Sequence, residues 1–267
     1  MDKLNNYVIA IPSYKREDTL KNKTLKVLQQ HKIPKNKIFI FVANKEEYKK
    51  YEDTLPNYYN KIIIGKVGMG AIRNFITNYF PEGKYIFNID DDISGFVKLT
   101  KEKNMKTKSK CESKKFNIND LDKFIKKGFE ECKKKKLSLF GIYPVSNPFF
   151  MKKRITYDLR YIIGSCWGSI NNKKIKVTLD DKEDFERTLK YYINDGGVIR
   201  FEYITAISGY YTEKGGMQVE RTKKRIHDSA VYLVKKYPNL CTLNTTKKTG
   251  FTEVRLKDRR NKTSKKK

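Results

Sequence analysis

Short apolar runs alternate with longer amphipathic segments through the first ninety residues of the chain. Each run is bounded by Pro, Gly or polar residues, which is typical of strands buried on both faces of a parallel sheet. The predicted strands are 7–11, 38–42, 62–64 and 85–89, and the predicted helices are 16–31, 46–54 and a segment that enters at 68–70 and ends before Pro81. Strand and helix in strict succession imply right-handed crossovers, so we expect a mostly parallel sheet flanked by helices.

The pattern after residue 97 is less regular. Residues 98–115 are polar and basic without apolar periodicity, which predicts a surface loop. Beyond this loop we expect helices at 121–132, 182–193 and 224–237, and strands at 137–143, 157–166 and 198–204. The tail 257–267 is almost wholly charged and predicts disorder. No internal repeat or flexible linker divides the chain, so a single α/β domain is expected.

The composition constrains the class of protein but not its partner. A formal net charge of +29 on 267 residues would attract polyanions such as nucleic acid, anionic membranes or phosphate-rich substrates. The abundance of Lys, Asn, Ile and Tyr is equally what an AT-rich genome produces, so the charge alone does not identify a ligand. An aromatic fraction of 13% supplies material for a core and argues against overall disorder.

Cysteine spacing and the amino-terminal sequence bear on the cellular compartment. The four cysteines are scattered without CxxC or Cys/His spacing, so neither disulfides nor a zinc site are indicated. The apolar segment 7–11 is too short for a signal-peptide core or a membrane span. We therefore expect an intracellular protein, cytoplasmic or nuclear, with no membrane span and no evident obligate protein partner.

Three successive acids, Asp90, Asp91 and Asp92, follow the predicted strand 85–89. Ligands of open α/β sheets bind beyond the carboxyl ends of the strands, so this triplet is expected at the ligand-binding edge. Adjacent carboxylates repel each other there unless a cation or hydrogen-bond donors neutralise them. Such oxygen ligands suit Mg²⁺ or Mn²⁺, which completes its shell with water and substrate phosphates. The alternative is an acidic turn that caps the next element.

A glycine-containing turn precedes the acidic strand and leads into a helix. Gly68 and Gly70 allow a ligand to approach the backbone closely, and Arg73 offers a fork of donors for a phosphate or a pyrimidine edge. A lone arginine of this kind is more often a surface residue. Its spacing from Asp90 favours a shared site.

Three motifs together resemble the GT-A glycosyltransferase fold with its DxD motif. They are Ile11-Pro12-Ser13-Tyr14-Lys15-Arg16 after the first strand, Gly70-Ala71-Ile72-Arg73-Asn74 on a helix, and Ile89-Asp90-Asp91-Asp92-Ile93. More narrowly, the chain resembles the TET/JBP-associated glycosyltransferases, which include base J glucosyltransferase-like enzymes of kinetoplastids and phages. Later segments that also look like this family are Glu183-Asp184, Gly197-Val198-Ile199-Arg200 and Gly215-Gly216-Met217-Gln218 ahead of Arg221.

The resemblance implies a single GT-A (Rossmann-like) domain over 1–256 that binds a nucleotide-sugar donor, such as UDP-glucose, together with Mn²⁺ or Mg²⁺. It divides the chain into a nucleotide-sugar-binding half (1–97), a basic mobile loop (98–118), an acceptor-side half (119–256) and the tail 257–267. The implied donor-site residues are Pro12, Ser13 and Arg16 around the nucleoside, Arg73 and Asn74 on the helix, Asp90 near the ribose, Asp91 beside it, and Asp92 on the metal with Asp90 as a second ligand.

Inverting transfer would also need a base to take the proton from the acceptor hydroxyl. Asp184 matches the acidic position of the family, and Glu183 is the alternate. Acidic residues are also favoured in the first turn of any helix by the macrodipole, and Asp180 or Asp181 could simply cap this helix. These residues are compatible with inversion or retention at the transferred sugar.

The resemblance implies an acceptor hydroxyl on a hydroxymethylated base in DNA, and a host-cell location if the protein is viral. A base must leave the duplex to reach such a site, so the basic stretch 98–115, Tyr210-Tyr211 and Gly215-Gly216 are expected to grip DNA. One alternative is the same chemistry on a glycan, lipid or protein. The other is a non-enzymatic, basic nucleic-acid-binding domain whose acidic cluster is structural.

Overall fold

The computed structural model describes residues 3–102, 110–209, 215–216, 222–244 and 251–258. Its helices are α1 (Glu17–Leu20), α2 (Lys26–Gln30), α3 (Lys45–Thr54), α4 (Met69–Tyr79), α5 (Asp120–Lys135), α6 (Glu183–Asp195) and α7 (Lys223–Lys236). Its strands are β1 (Val8–Pro12), β2 (Ile38–Val42), β3 (Lys61–Ile64), β4 (Tyr85–Ile89), β5 (Ile93–Lys101), β6 (Glu112–Lys115), β7 (Leu139–Ile142), β8 (Ile155–Thr156), β9 (Cys166–Ile170), β10 (Ile199–Phe201), β11 (Ile204–Ser208), β12 (Cys241–Asn244) and β13 (Glu253–Leu256). A π-helical turn, Lys21–Leu25, joins α1 to α2.

An eight-stranded sheet with the order β3-β2-β1-β4-β9-β7-β10-β8 forms the centre of the fold. The first four strands of the chain pair in parallel, and so do β7 and β10. Strand β9 runs antiparallel to both of its neighbours, β4 and β7. The carboxyl ends of β1, β4, β7 and β10 therefore lie along one edge, and the predicted α/β class with a mainly parallel sheet is confirmed.

Both faces of the sheet are covered, which explains why the early strands are apolar throughout rather than alternating. On one face Ile9 and Phe87 share a core with Phe129 of α5. On the other face Ala10 packs in a second cluster with Ile76 of α4. The predicted alternation of strands and helices through residue 89 is confirmed, with element ends that differ by one or two residues.

The basic stretch 98–115 differs from the expected loop, because both of its ends are strands. Strand β5 pairs antiparallel with β6 on one side and with β11, about a hundred residues away, on the other. Hydrogen bonds to these partner strands hold the polar segment in an extended conformation. Local periodicity does not predict a partner strand that is distant in the sequence, so the strands were not expected. Residues 103–109 lie outside the described part of the chain.

Three further expectations need correction. The segment 157–166 is not a strand, because regular pairing begins only at Cys166, although Leu159, Ile162 and Ile163 are buried in it. The expected strand 198–204 divides into β10 and β11, which belong to different sheets. The tail was expected to be disordered from residue 257, yet Asp258 is buried and pairs with Arg160 at 3.1 Å. Residues 259–267 lie outside the described part of the chain.

No helix in the described ranges has the length and apolar character needed to cross a membrane.

Candidate active site

A cleft opens at the carboxyl edge of the sheet, where the segments after β1 and β4 meet the starts of α4 and α6. Its volume of about 170 Å³ is roughly ten times what one buried water needs, so it can admit a ligand. The residues that give it its chemistry are Pro12, Ser13, Arg16, Lys66, Arg73, Asp90, Asp91, Asp92, Asp180, Lys182, Glu183 and Asp184. Ser208 and Gly216 line it as well.

Asp91 ties the segment after β1 to the acidic triplet. Its carboxylate accepts a hydrogen bond from Ser13 Oγ at 2.6 Å and pairs with Arg16 Nη1 at 3.2 Å. Tyr51 supports the same segment, because its hydroxyl lies 2.7 Å from Ser13 Oγ and accepts the backbone N–H of Arg16. Burial raises the pKa of Asp91 to about 7, although Arg16 and Ser13 favour its charged form.

Asp90 and Asp92 have surroundings different from those of Asp91. Asp90 accepts a hydrogen bond from Arg73 Nη2 at 2.8 Å. Asp92 is buried, and its pKa is raised to about 6, first by burial and then by repulsion from Asp90. A cation held by these two carboxylates would relieve that repulsion, so the pair fits Mg²⁺ or Mn²⁺, which takes one or two protein carboxylates. No group of three or more potential metal ligands occurs among the residues that the structure describes.

Arg73 lies at the floor of the cleft, with only 5% of its surface exposed, and links the acidic triplet to α6. Its Nη2 contacts Asp90 and the carbonyl oxygen of Gly164, and its Nε is 3.6 Å from Glu183 Oε1. Glu183 also pairs with Arg187 Nη1 at 2.9 Å. The structure therefore places Arg73 and Glu183 in one buried ionic chain. Of the two acids proposed as the base, Glu183 is the one already engaged by two guanidinium groups.

Asp184 stands at the rim of the cleft on the first turn of α6. Tyr161 donates a hydrogen bond to Asp184 Oδ2, and the backbone N–H of Phe185 donates to Oδ1 at 2.9 Å. The ring of Tyr161 stacks on that of Phe185, with centroids 4.2 Å apart. These contacts hold the Asp184 carboxylate in one orientation, and Asp184 is part of the lining of the cleft.

Asn74 is the one expected donor-site residue that the structure places outside the lining of the cleft. Its side chain bonds to the backbone of Val177 twice, through Nδ2 to the carbonyl oxygen and through Oδ1 to the N–H. This pairing fixes the segment that enters α6, so the position of Asn74 is explained without a ligand.

Three side chains that sequence reasoning did not select also shape the site. Asp180 Oδ1 accepts the backbone N–H of Gly70 at 2.9 Å and so caps α4 rather than its own helix. Tyr51 and Tyr161 orient Ser13 and Asp184, as described above. Each partner lies at least 23 residues away in the chain, and no local motif predicts these contacts.

Asp181 pairs with Arg225 of α7 at 3.2 Å.

The geometry defines a mixed α/β protein with an acidic, ligand-sized cleft at the carboxyl edge of a mainly parallel sheet. The sequence model of the family described as TET-Associated Glycosyltransferase matches residues 7–208. The chain belongs to this family, and the predicted resemblance and glycosyltransferase class are confirmed. The search of curated proteins found no match.

A comparison with solved structures found matches of low sequence identity. TarS of S. aureus is 17% identical with a TM-score of 0.47, and the match covers 86% of this chain and 40% of TarS. TarS 1-349 in complex with UDP is 14% identical with a TM-score of 0.48, covering 86% and 65%. CMP:2-keto-3-deoxy-manno-octonic acid synthetase complexed with CTP is 9% identical with a TM-score of 0.42, covering 86% and 99%. The chain thus spans less than two thirds of the TarS chains it matches.

Proposed function

We propose that the protein transfers a glucose-like sugar from a nucleoside diphosphate sugar to an acceptor hydroxyl, with a divalent cation in the cleft. The observation that carries this proposal is the placement of Asp90 and Asp92 within one cleft beside the Ser13–Arg16 segment. Two carboxylates and adjacent cationic side chains suit a metal–diphosphate complex, because the metal would balance the carboxylates and the diphosphate would balance the cationic side chains.

On the donor side, Asp92 and Asp90 would hold Mn²⁺ or Mg²⁺, which when bound stabilises the charge that develops on a departing diphosphate. Pro12, Ser13 and Arg16 would surround the nucleoside, since they line the same cleft. Asp91 would act through these residues, because its hydrogen bonds fix the segment that carries them. Arg73 would position Asp90 rather than grip a phosphate itself.

On the acceptor side, Asp184 would receive the proton of the attacking hydroxyl. Its carboxylate lines the cleft and is oriented by Tyr161, as a general base requires. The acceptor that fits the family and the net charge of +29 is a hydroxymethylated base in DNA. Transfer to a glycan, lipid or protein is the alternative outcome of the test below.

Thermal unfolding with UDP-glucose, with and without Mn²⁺, tests the donor and the metal together. We expect stabilisation only when both are present, and we expect Asp92→Asn to abolish it. Asp53→Asn, which changes an exposed aspartate on α3, is the matched control and should respond like the unmodified protein. Equal stabilisation of the Asp92→Asn variant would contradict the proposed metal ligand.

The acceptor is tested by measuring sugar transfer onto DNA that contains 5-hydroxymethyl pyrimidines, with ordinary saccharides in parallel. Transfer to saccharides alone would overturn the DNA acceptor and leave the donor chemistry intact. If nucleic acid binds while no nucleotide sugar is bound or hydrolysed, the protein is a binding domain instead.

A further inference from the structure

Two exposed phenylalanines lie at the sheet edge that carries the cleft. Phe149 and Phe150 belong to the short 3₁₀ turn Pro148–Phe150 after β7, and they are 47% and 53% exposed. Their rings meet edge to face, with centroids 5.0 Å apart. Strand β7 runs parallel to β4, because both are antiparallel to β9, so the turn leaves the sheet at the same edge as the acidic triplet.

The turn is anchored at both ends, which holds the two rings toward solvent. Asn147 Oδ1 accepts the backbone N–H of Phe149 at 3.0 Å and so caps the turn. The next residue, Met151, is only 1% exposed and fixes the chain to the core. The backbone N–H of Lys152 then bonds to the carbonyl oxygen of Glu202 at 3.0 Å. The exposure of the two rings is therefore a property of a fixed backbone.

Three exposed cations, Lys152, Lys153 and Arg154, follow the buried Met151. We call this set, with Phe149 and Phe150, the FF–KKR surface. The acidic side chain of Glu102 borders it, because Glu102 accepts the backbone N–H of Lys153 at 2.5 Å and lies 3.7 Å from Lys152 Nζ. Through Glu102, the residue that follows β5, the surface adjoins the basic hairpin β5–β6.

We propose that the FF–KKR surface binds an unpaired segment of nucleic acid by stacking bases on Phe149 and Phe150 while the cations contact phosphates. Aromatic side chains within a cationic groove are the means by which proteins bind single strands without reading their sequence. A bilayer interface instead takes a continuous apolar face, usually on an amphipathic helix, whereas this surface is a single turn with two rings. The proposal rests on the proposed function only in that the bound strand would be the acceptor.

Stacking and simple charge attraction predict opposite preferences between single and double strands. A duplex carries the higher charge density, so a purely electrostatic surface binds it more tightly. Rings that stack need an exposed base face, so the FF–KKR surface should favour a single strand of the same length. Fluorescence anisotropy with labelled oligonucleotides of both kinds measures this preference directly.

The deciding variant is Phe149→Ala/Phe150→Ala, compared with Ile193→Ala. Ile193 is 57% exposed near the end of α6, and α6 leads into the amino end of β10, at the opposite sheet edge. We expect the double variant to weaken single-strand binding about tenfold or more, and Ile193→Ala to leave it unchanged. Equal binding by the double variant and the unmodified protein, or a preference for duplex, would overturn the proposal.

Two further measurements separate the partners and the proposals. In a Phe150→Trp variant, base stacking should quench the fluorescence of the added tryptophan. Insertion into anionic phosphatidylserine vesicles would instead shift that fluorescence to the blue. A blue shift with vesicles and no quenching by oligonucleotide would overturn the nucleic-acid assignment. Asp92→Asn should retain single-strand binding, and the double phenylalanine variant should retain stabilisation by UDP-glucose and Mn²⁺. Failure of the donor chemistry is thereby distinguished from failure of the FF–KKR surface.

Discussion

At the scale of single residues, neighbours in the sequence have unlike roles because their side chains enter unlike surroundings. Asp91 bonds to Ser13 and Arg16, whereas the pKa of Asp92 is raised first by burial and then by repulsion from Asp90. The same division separates Glu183 from Asp184, one in a buried ionic chain and the other at the rim of the cleft. Adjacent conservative substitutions should therefore produce different defects.

Glu183→Gln and Asp184→Asn form such a matched pair. Glu183→Gln leaves Arg73 and Arg187 without their buried carboxylate, so we expect the free energy of unfolding to fall by about 3 kcal/mol. Asp184→Asn should lower sugar transfer by roughly a hundredfold or more while stabilisation by UDP-glucose and Mn²⁺ persists. Urea unfolding and initial rates measure the two effects. The base assignment fails if Asp184→Asn transfers sugar at the normal rate.

His31 should make the stability of the fold depend on pH. It is 8% exposed between Phe96 and Phe116, and burial lowers its pKa, against smaller opposing effects of the Asn117 backbone and Asp120. Because the pKa of His31 is lowered in the folded state, the contribution of neutral His31 to the free energy of unfolding is complete above its pKa in the unfolded chain, about 6.5. It is then lost as pH falls below that value, because the unfolded chain binds the proton more readily.

We therefore expect His31→Gln to reduce the loss of thermal stability between neutral pH and about pH 5. His227→Gln, at an exposed position on α7, serves as the control and should leave the pH dependence unchanged. Identical pH profiles for His31→Gln and the unmodified protein would show that His31 does not contribute to the dependence.

At the scale of elements, the approach of α5 to the sheet depends on two glycines around one aromatic ring. A Cβ at Gly128 of α5 would lie 2.3 Å from the Phe140 ring, and a Cβ at Gly168 of β9 would lie 2.1 Å from it. The ring fills the space that both glycines leave, so helix and sheet pack at a distance that no larger residue allows.

Gly128→Ala should accordingly destabilise the protein although alanine is the better helix former by about 1 kcal/mol. Overpacking of a core typically costs about 1–3 kcal/mol, so we expect a net loss in the free energy of urea unfolding. Gly95→Ala is the control, because a Cβ there would meet only Ile207 at an ordinary 3.7 Å. A Gly128→Ala variant at least as stable as the unmodified protein would refute the packing argument.

At the scale of the whole molecule, the excess of 59 Lys and Arg over 30 Asp and Glu creates repulsion throughout the fold. Self-repulsion of this kind weakens the compact state, and salt screens it. We expect the melting temperature to rise when NaCl is increased from about 0.05 M to about 0.3 M. Replacing Lys133, Lys134 and Lys135, at the end of α5, by Gln should reduce that rise. A melting temperature that falls with salt in the unmodified protein would contradict this account.

The local pattern of the sequence was sufficient for the elements of the first half and for the position of the acidic triplet. Apolar runs and helical spacing depend on neighbours within a few residues, so β2 and β4 were predicted with their observed bounds. The expectation that Pro12, Ser13 and Arg16 share a site with the triplet follows from parallel strands ending at one edge, and they line one cleft.

Only the tertiary structure decided which side chains within these motifs line the cleft and which bond to distant parts of the fold. Arg16 meets Asp91 across 75 residues and Gly70 meets Asp180 across 110, so their pairing appears only after the sheet has assembled. The same holds for β5, whose polar sequence is strand because β11 pairs with it. Asn74 was predicted for the donor site; the structure places it outside the lining of the cleft, where it bonds to the backbone of Val177. Sequence spacing determines the local helix and strand geometry, whereas burial and long-range contacts determine which partner each polar side chain bonds to.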